Sequence, residues 1–305
     1  EASNMIWRGY GNSAWDAGAG GTANWSNLSD VGTCKYYDGD KVLFDDDGGA
    51  VSNVTIGVTV FPGSVTVNST SNYVFSGAGG IMGLIPFSKT GAGTLTLLTP
   101  NTLTGTTTID GGILAVGNGG AAGSLGTGPV VDNATLIFNR SDNIVVANQI
   151  SGAGTVTNQG AGWLTYTANN TYSGPTVVSA GGLQLGNGTA AGSVTGPITN
   201  NAAMQFNRSD VFLFTNTVSG SGYLNTYGSA VISNAAIGLA GSLNMYAGGS
   251  GGLTIENGTA MTIGGSIYTG NGRANLYVRG GSLLVTGNLT HGWDDGANIV
   301  VTGGT

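Results

Sequence analysis

The chain has 305 residues, a net charge of −7 from eight Lys plus Arg and fifteen Asp plus Glu, and 58 glycines against 6 prolines. So much glycine without a Gly-X-Y period excludes collagen, and 40% hydrophobic content with 8% charged residues excludes charge-driven disorder. Three lysines and five arginines cannot build a basic stripe for nucleic acid, no run of 18 apolar residues is present to insert in a membrane, and the single cysteine, Cys34, permits no internal disulfide.

Residues 1–50 stand apart from the rest of the chain. The opening Glu1-Ala-Ser-Asn-Met has neither the basic nor the apolar region of a signal peptide. Trp7, Trp15 and Trp25, three of five tryptophans, fall here and read as a leader or cap. Asp38, Asp40, Asp45, Asp46 and Asp47 are the one dense acidic cluster, with oxygens enough for a structural Ca²⁺, although they lack the 12-residue loop spacing that ends in Glu. No other cofactor is expected. Cys34 reads as a small buried hydrophobe.

Residues 51–226 contain a duplication. Gly91-Ala-Gly-Thr-Leu-Thr returns as Gly160-Ala-Gly-Trp-Leu-Thr, and Asn101-Thr-Leu-Thr-Gly105 as Asn170-Thr-Tyr-Ser-Gly174, both at an offset of 69. After a one-residue deletion, Gly128-Pro129 returns as Gly196-Pro197 and Phe138-Asn-Arg-Ser-Asp142 as Phe206-Asn-Arg-Ser-Asp210, at an offset of 68. The Asn-Arg-Ser-Asp segments are expected to be turns with local Arg–Asp pairs.

Residues 227–305 repeat faster. Ala274-Asn-Leu-Tyr-Val-Arg-Gly-Gly-Ser282 aligns with Ala297-Asn-Ile-Val-Val-Thr-Gly-Gly-Thr305 at an offset of 23, and 3 × 23 gives 69. Short β-branched runs such as Thr94-Leu-Thr-Leu97 and Ile113-Leu-Ala-Val116, bounded by Gly and Asn, alternate inward and outward side chains. No helical period appears without glycine interruptions. The expected fold is therefore all-β: a right-handed parallel β-helix (β-solenoid) of about 23 residues per coil with an N-terminal aromatic cap. A β-sandwich would not keep such a period, and propeller blades are longer, at about 40–50 residues.

The segments Gly-Ala-Gly-Thr-Leu-Thr-Leu97, Asn-Thr-Tyr-Ser-Gly174, Gly-Gly-Leu-Gln-Leu-Gly-Asn187 and Phe-Asn-Arg-Ser-Asp210 resemble the autotransporter-associated (passenger-associated) β-strand repeat. Such repeats occur in type V autotransporter passengers and in Verrucomicrobia- and Planctomycetes-type surface proteins. Trp15-Asp16, Asn24-Trp25, Asp38-Gly-Asp40 and Phe44-Asp-Asp46 are similar to the leader that often precedes them. The resemblance implies a bacterial extracellular or cell-surface β-helix and brings no catalytic motif. Leu103 departs from the pattern, which expects a tyrosine as at Tyr172.

Enzymatic chemistry has little to stand on. Thr-His291-Gly-Trp-Asp294-Asp295 is the one place where His, Trp and paired acids meet, and adjacent strand residues face opposite sides, unlike the paired carboxylates of a glycosidase. The expectation is a non-enzymatic structural subunit whose coils stack head-to-tail on a second copy into a filament or stalk. Trp7, Trp15 and Trp25 would lie at one end, and Thr302 and Thr305, where the chain stops within a repeat, at the other. The alternative is an adhesin or carbohydrate-binding passenger that exposes Tyr and Trp on one face to glycans.

Overall fold

The computed structural model describes residues 2–28, 30–246, 252–270, 274–291, 298–303 and 305. The chain is all-β and forms parallel coils, and it divides into two compact units: residues 1–142 with 148–156, and residues 143–147 with 157–305. Among the described residues the one helix is a 3-10 segment, Asp46–Val51, whose N-cap Asp45 accepts from the Asp47 and Gly48 amides. No helix among them is long and apolar enough to cross a membrane.

Unit 1 begins antiparallel. Asn4–Trp7 pairs with Trp25–Asn27, which pairs with Asp30–Cys34. The other edge of Asn4–Trp7 then starts a parallel ladder through Lys41–Phe44, Ser64–Asn68, Phe87–Thr90, Thr107–Ile109, Val130–Asp132 and Ile150–Ser151. A second ladder stacks Asn53–Thr55, Tyr73–Ser76, Thr94–Leu97, Ile113–Val116 and Thr135–Phe138. Alternation puts Val65, Val67, Phe75, Leu95, Leu97 and Leu114 inside, each at most 1% exposed, with Thr and Ser between them outside.

Unit 2 has three ladders. One runs from Ile144–Val146 to Leu289–His291, the second from Thr176–Val178 to Ser282–Val285, and the third from Phe212–Phe214 to Ile299–Thr302. Their interiors are mainly aliphatic, with Leu164, Leu183, Leu185, Leu224, Leu243, Ile255 and Ile267 buried, joined by a Phe206–Phe212–Phe214 cluster. Each such side chain contributes about 1.5–3 kcal/mol of burial free energy relative to exposure.

The coil length departs from the expected 23. That step is kept from Lys41 to Ser64, from Thr107 to Val130, and along Ala230–Leu253–Leu276–Ile299. Apart from the first parallel pairing, Asn4 with Lys41, the steps between paired positions range from 18 (Phe212 and Ala230) to 24 (Leu243 and Ile267), and the average is about 21. The duplication, with its offset of 69, therefore spans about 3.3 coils (69/21) rather than three. Strand positions are fixed by pairing, whereas the corners between them tolerate insertions, so the sequence period drifts.

Corners need glycine where successive coils touch. A Cβ on Gly128 would lie 2.0 Å from the Gly105 carbonyl oxygen, and one on Gly196 2.0 Å from that of Gly174. The following Pro129 and Pro197 carbonyls accept from Thr107 and Thr176 at 2.9 and 2.8 Å, which accounts for the duplicated Gly-Pro. Buried asparagines satisfy other corner carbonyls: Asn148 Nδ2 donates to Gly128 at 2.6 Å, and its repeat partner Asn216 donates to Gly196 at 2.7 Å.

Candidate functional site

The tryptophans are packing groups. Trp7, Trp15, Trp25, Tyr36, Phe44, Tyr73 and Phe75 form a continuous aromatic cluster in unit 1, with mostly edge-to-face contacts at 4.7–5.9 Å between centroids. All three indoles are fully buried, which fits a cap and leaves no ring face for a ligand. Cys34 is half-exposed rather than buried, because Asp30–Cys34 is the outermost strand of its sheet.

The acidic cluster is spent on the backbone. Asp40 accepts from the Ser3 and Tyr37 amides at 2.7 and 2.9 Å, and Asp38 from the Phe61 amide and the Tyr36 hydroxyl. Asp46 collects the Ser69 hydroxyl and the Thr70 and Ser71 amides, bonds that hold its carboxyl below the usual range. Asp45 and Asp47 meet Arg8, at 2.7 and 3.6 Å. Among the described residues no three His, Cys, Asp or Glu side chains converge as metal ligands.

Thr302 lies in register with Arg279, and Thr305 exchanges backbone bonds with Gly281 and Leu283. Residues 292–297, with Asp294 and Asp295, lie outside the described residues. Both expected Arg–Asp pairs form: Arg140 with Asp142 and Arg208 with Asp210, each bidentate at 2.8 Å.

The surface with the most distinctive chemistry is the outer face of the first ladder of unit 2. Strands Trp163–Tyr166, Gly182–Thr189, Ala203–Arg208, Tyr223–Tyr227, Leu243–Tyr246 and Ile267–Thr269 bring one outward position into line: Thr165, Gln184, Gln205, Asn225, Asn244 and Tyr268. The carboxamides pair along the column. Gln205 Nε2 donates to Gln184 Oε1 at 2.7 Å, and Asn244 Nδ2 to Asn225 Oδ1 at 2.9 Å.

Aromatic rings flank this amide column. Tyr227 and Tyr246, in register, stack with centroids 5.1 Å apart and planes 18° apart, and Tyr268 follows at 6.5 Å. Tyr223 and Tyr227 are exposed, at 38% and 39%. On the other side Trp163 lies over Gly182, where a Cβ would sit 2.4 Å from the indole, so the glycine makes room for the ring. Desolvation, then the neighbouring Tyr227, Tyr268 and Tyr223, raise the Tyr246 hydroxyl above the ordinary phenol range and keep it neutral. The outward positions from Thr165 to Tyr268 carry no Asp, Glu, Lys or Arg. Five ladder steps of about 4.8 Å give the strip a length of roughly 24 Å.

This arrangement offers flat apolar ring faces beside paired carboxamides, which suits stacking and hydrogen bonding to an uncharged polar ligand. Sequence reasoning anticipated an aromatic face but did not locate it. The signal was available in Tyr223-Leu-Asn-Thr-Tyr227 and Leu243-Asn-Met-Tyr246, whose alternation sends Tyr and Asn to one side.

Residues 87–116 and 156–185 match the passenger-associated-transport-repeat family, so the chain carries two autotransporter-passenger repeats, set at the same offset of 69 as the duplicated text. A relative is the adhesin BmaC autotransporter of Brucella suis biovar 1 (strain 1330), 30% identical over 166 residues. That alignment covers 47% of this chain and 5% of the relative, so the chain spans a small fraction of the relative's length. No solved structure matches.

Proposed function

We propose that the chain is part of a bacterial surface-displayed, adhesin-type autotransporter passenger, and that the tyrosine–carboxamide strip of unit 2 contacts an extended, uncharged glycan. The carrying observation is the strip itself: Tyr227, Tyr246 and Tyr268 in succession beside the Gln184–Gln205 and Asn225–Asn244 pairs, in a column from Thr165 to Tyr268 whose residues are all uncharged. The repeats and the adhesin relative support surface display. Pyranose rings present an apolar face and a rim of hydroxyls, the chemistry that tyrosine rings and carboxamides complement.

The purified chain should be retained by a subset of neutral oligosaccharides on a glycan array. The double variant Tyr227→Ala/Tyr246→Ala should lose that retention while its melting temperature stays within a few degrees. An array without binders, or equal binding by the variant, would sink this reading. A head-to-tail filament receives less support at the tryptophan end, where the three indoles are covered, while Leu284, Leu289, Ile299 and Val301 of the last described strands are exposed.

A further inference from the structure

Asp132 closes the strand Val130–Asp132 of unit 1 with its side chain fully buried. Its Oδ1 accepts from the Ala134 amide at 3.1 Å, whereas Oδ2 has no hydrogen-bond partner. A buried carboxylate oxygen left bare is costly, and carboxylates in native interiors are normally paired or hydrogen-bonded.

The second copy of the duplication builds the same corner with Asn200. Three bonds correspond. Gly154 N donates to the Asp132 carbonyl at 2.7 Å, and Gly222 N to that of Asn200 at 2.8 Å. Thr155 N donates to the Ala134 carbonyl at 2.9 Å, and Tyr223 N to that of Ala202 at 3.1 Å. Ala202 N reaches Asn200 Oδ1 at 3.3 Å, as Ala134 N reaches Asp132. The copies differ in the other arm: Asn200 Nδ2 donates to the Tyr223 carbonyl at 2.9 Å. The counterpart acceptor is the Thr155 carbonyl, to which a carboxylate cannot donate and a carboxylic acid can.

We propose that Asp132 is held as the neutral acid in the folded chain, donating from Oδ2 to the Thr155 carbonyl as Asn200 does to Tyr223, so that this corner is tight in acid and slackens on ionisation. The elements around it bring no compensating charge into contact. Ile109 is its ladder neighbour, and Gly154 is packed so closely that a Cβ there would lie 2.5 Å from the Asp132 carboxyl carbon. The charged groups on the adjoining strands are Lys89 and Asp110. Lys89, two ladder steps away, donates its ammonium to the Thr90, Gly91 and Gly111 carbonyls; Asp110 accepts from Asn133 Nδ2.

Burial pushes the Asp132 carboxyl from 3.8 up to about 6, against the lowering influence of the Ala134 amide. The folded chain therefore binds a proton that the unfolded chain has released. The stabilising contribution is complete below about pH 4 and is lost as pH rises through about 6.

Native-state hydrogen exchange provides the test, with the second copy as internal reference. Between pH 4 and 7.5, protection at the Ala134, Gly154 and Thr155 amides should fall about tenfold to a hundredfold more than at Ala202, Gly222 and Tyr223. Asp132→Asn should abolish the difference, and Asn200→Asp should import it to the second copy. A ¹³C titration of the Asp132 carboxyl should give a midpoint near 6. A midpoint near 4, or the same pH profile in wild type and Asp132→Asn, would overturn the proposal.

Discussion

The two copies of the duplicated segment run the chain through equivalent strands and fill the interior differently. Leu95, Leu97, Val116, Leu136 and Phe138 of the first correspond to Leu164, Tyr166, Leu185, Met204 and Phe206 of the second, and all ten are buried. Their polar slots diverge. Lys89 occupies the place of Asn158, and Asp132 that of Asn200. Lys89 donates to the Thr90, Gly91 and Gly111 carbonyls; Asn158 Nδ2 donates to those of Gly162, Ala180 and Gly182. The coil thus demands a donor at this corner and is indifferent to its charge. Backbone carbonyls turned inward set the requirement, and a carboxamide meets it without the desolvation cost of an ion.

The comparison breaks most severely at the apolar positions. Leu185→Asp and Val116→Asp should each destabilise their own unit by at least ~3 kcal/mol, since either places an unpaired charge in a column with no partner. Urea denaturation reads the loss, and an unchanged midpoint would contradict the inward assignment. A smaller effect is expected at the polar corner. Lys89→Ala and Asn158→Ala should each cost ~1–3 kcal/mol through unpaired carbonyls, while Lys89→Asn should stay within ~1 kcal/mol of wild type. Burial pushes the Lys89 ammonium down to about 8 from 10.5. The folded chain gives up this proton first, so wild type should gain stability relative to Lys89→Asn as pH rises from about 8 towards 10.5, measured by thermal melts across that range. The smallest contrast lies at the surface. Arg208 reaches the Gly192 and Ala190 carbonyls and stacks on Phe212 at 4.5 Å, whereas Arg140 adds only the Gly123 carbonyl to its Asp pair. Arg208→Ala should therefore cost ~1 kcal/mol more than Arg140→Ala in a matched pair of melts.

Much of this was legible in the sequence. The Gly91–Leu97 and Gly160–Tyr166 text, with its alternating Thr and Leu, was enough for parallel coils, and Asn-Arg-Ser-Asp was enough for the two Arg–Asp turns. Coil length was not, because 23 is only one of the steps between paired strands, sustained along Ala230–Leu253–Leu276–Ile299, and corner insertions vary the rest. The tyrosine strip was hidden for the same reason: the steps from Tyr227 to Tyr246 and from Tyr246 to Tyr268 are unequal, and only strand register pairs Tyr227 with Tyr246 and sets Tyr268 beside Asn244, one column away. Asp132 was not singled out by the sequence at all. Its isolation follows from Ile109 and Gly154 closing around it, which no local pattern announces.

The spacing of the ladders has a kinetic consequence. Because the step between paired strands stays within the narrow range from Phe212–Ala230 to Leu243–Ile267, the distance a segment must search does not grow as coils are added to a unit. Each new coil finds its template in the one just completed, so folding can propagate coil by coil as a zipper, and a nascent chain need not wait for its far end before acquiring structure.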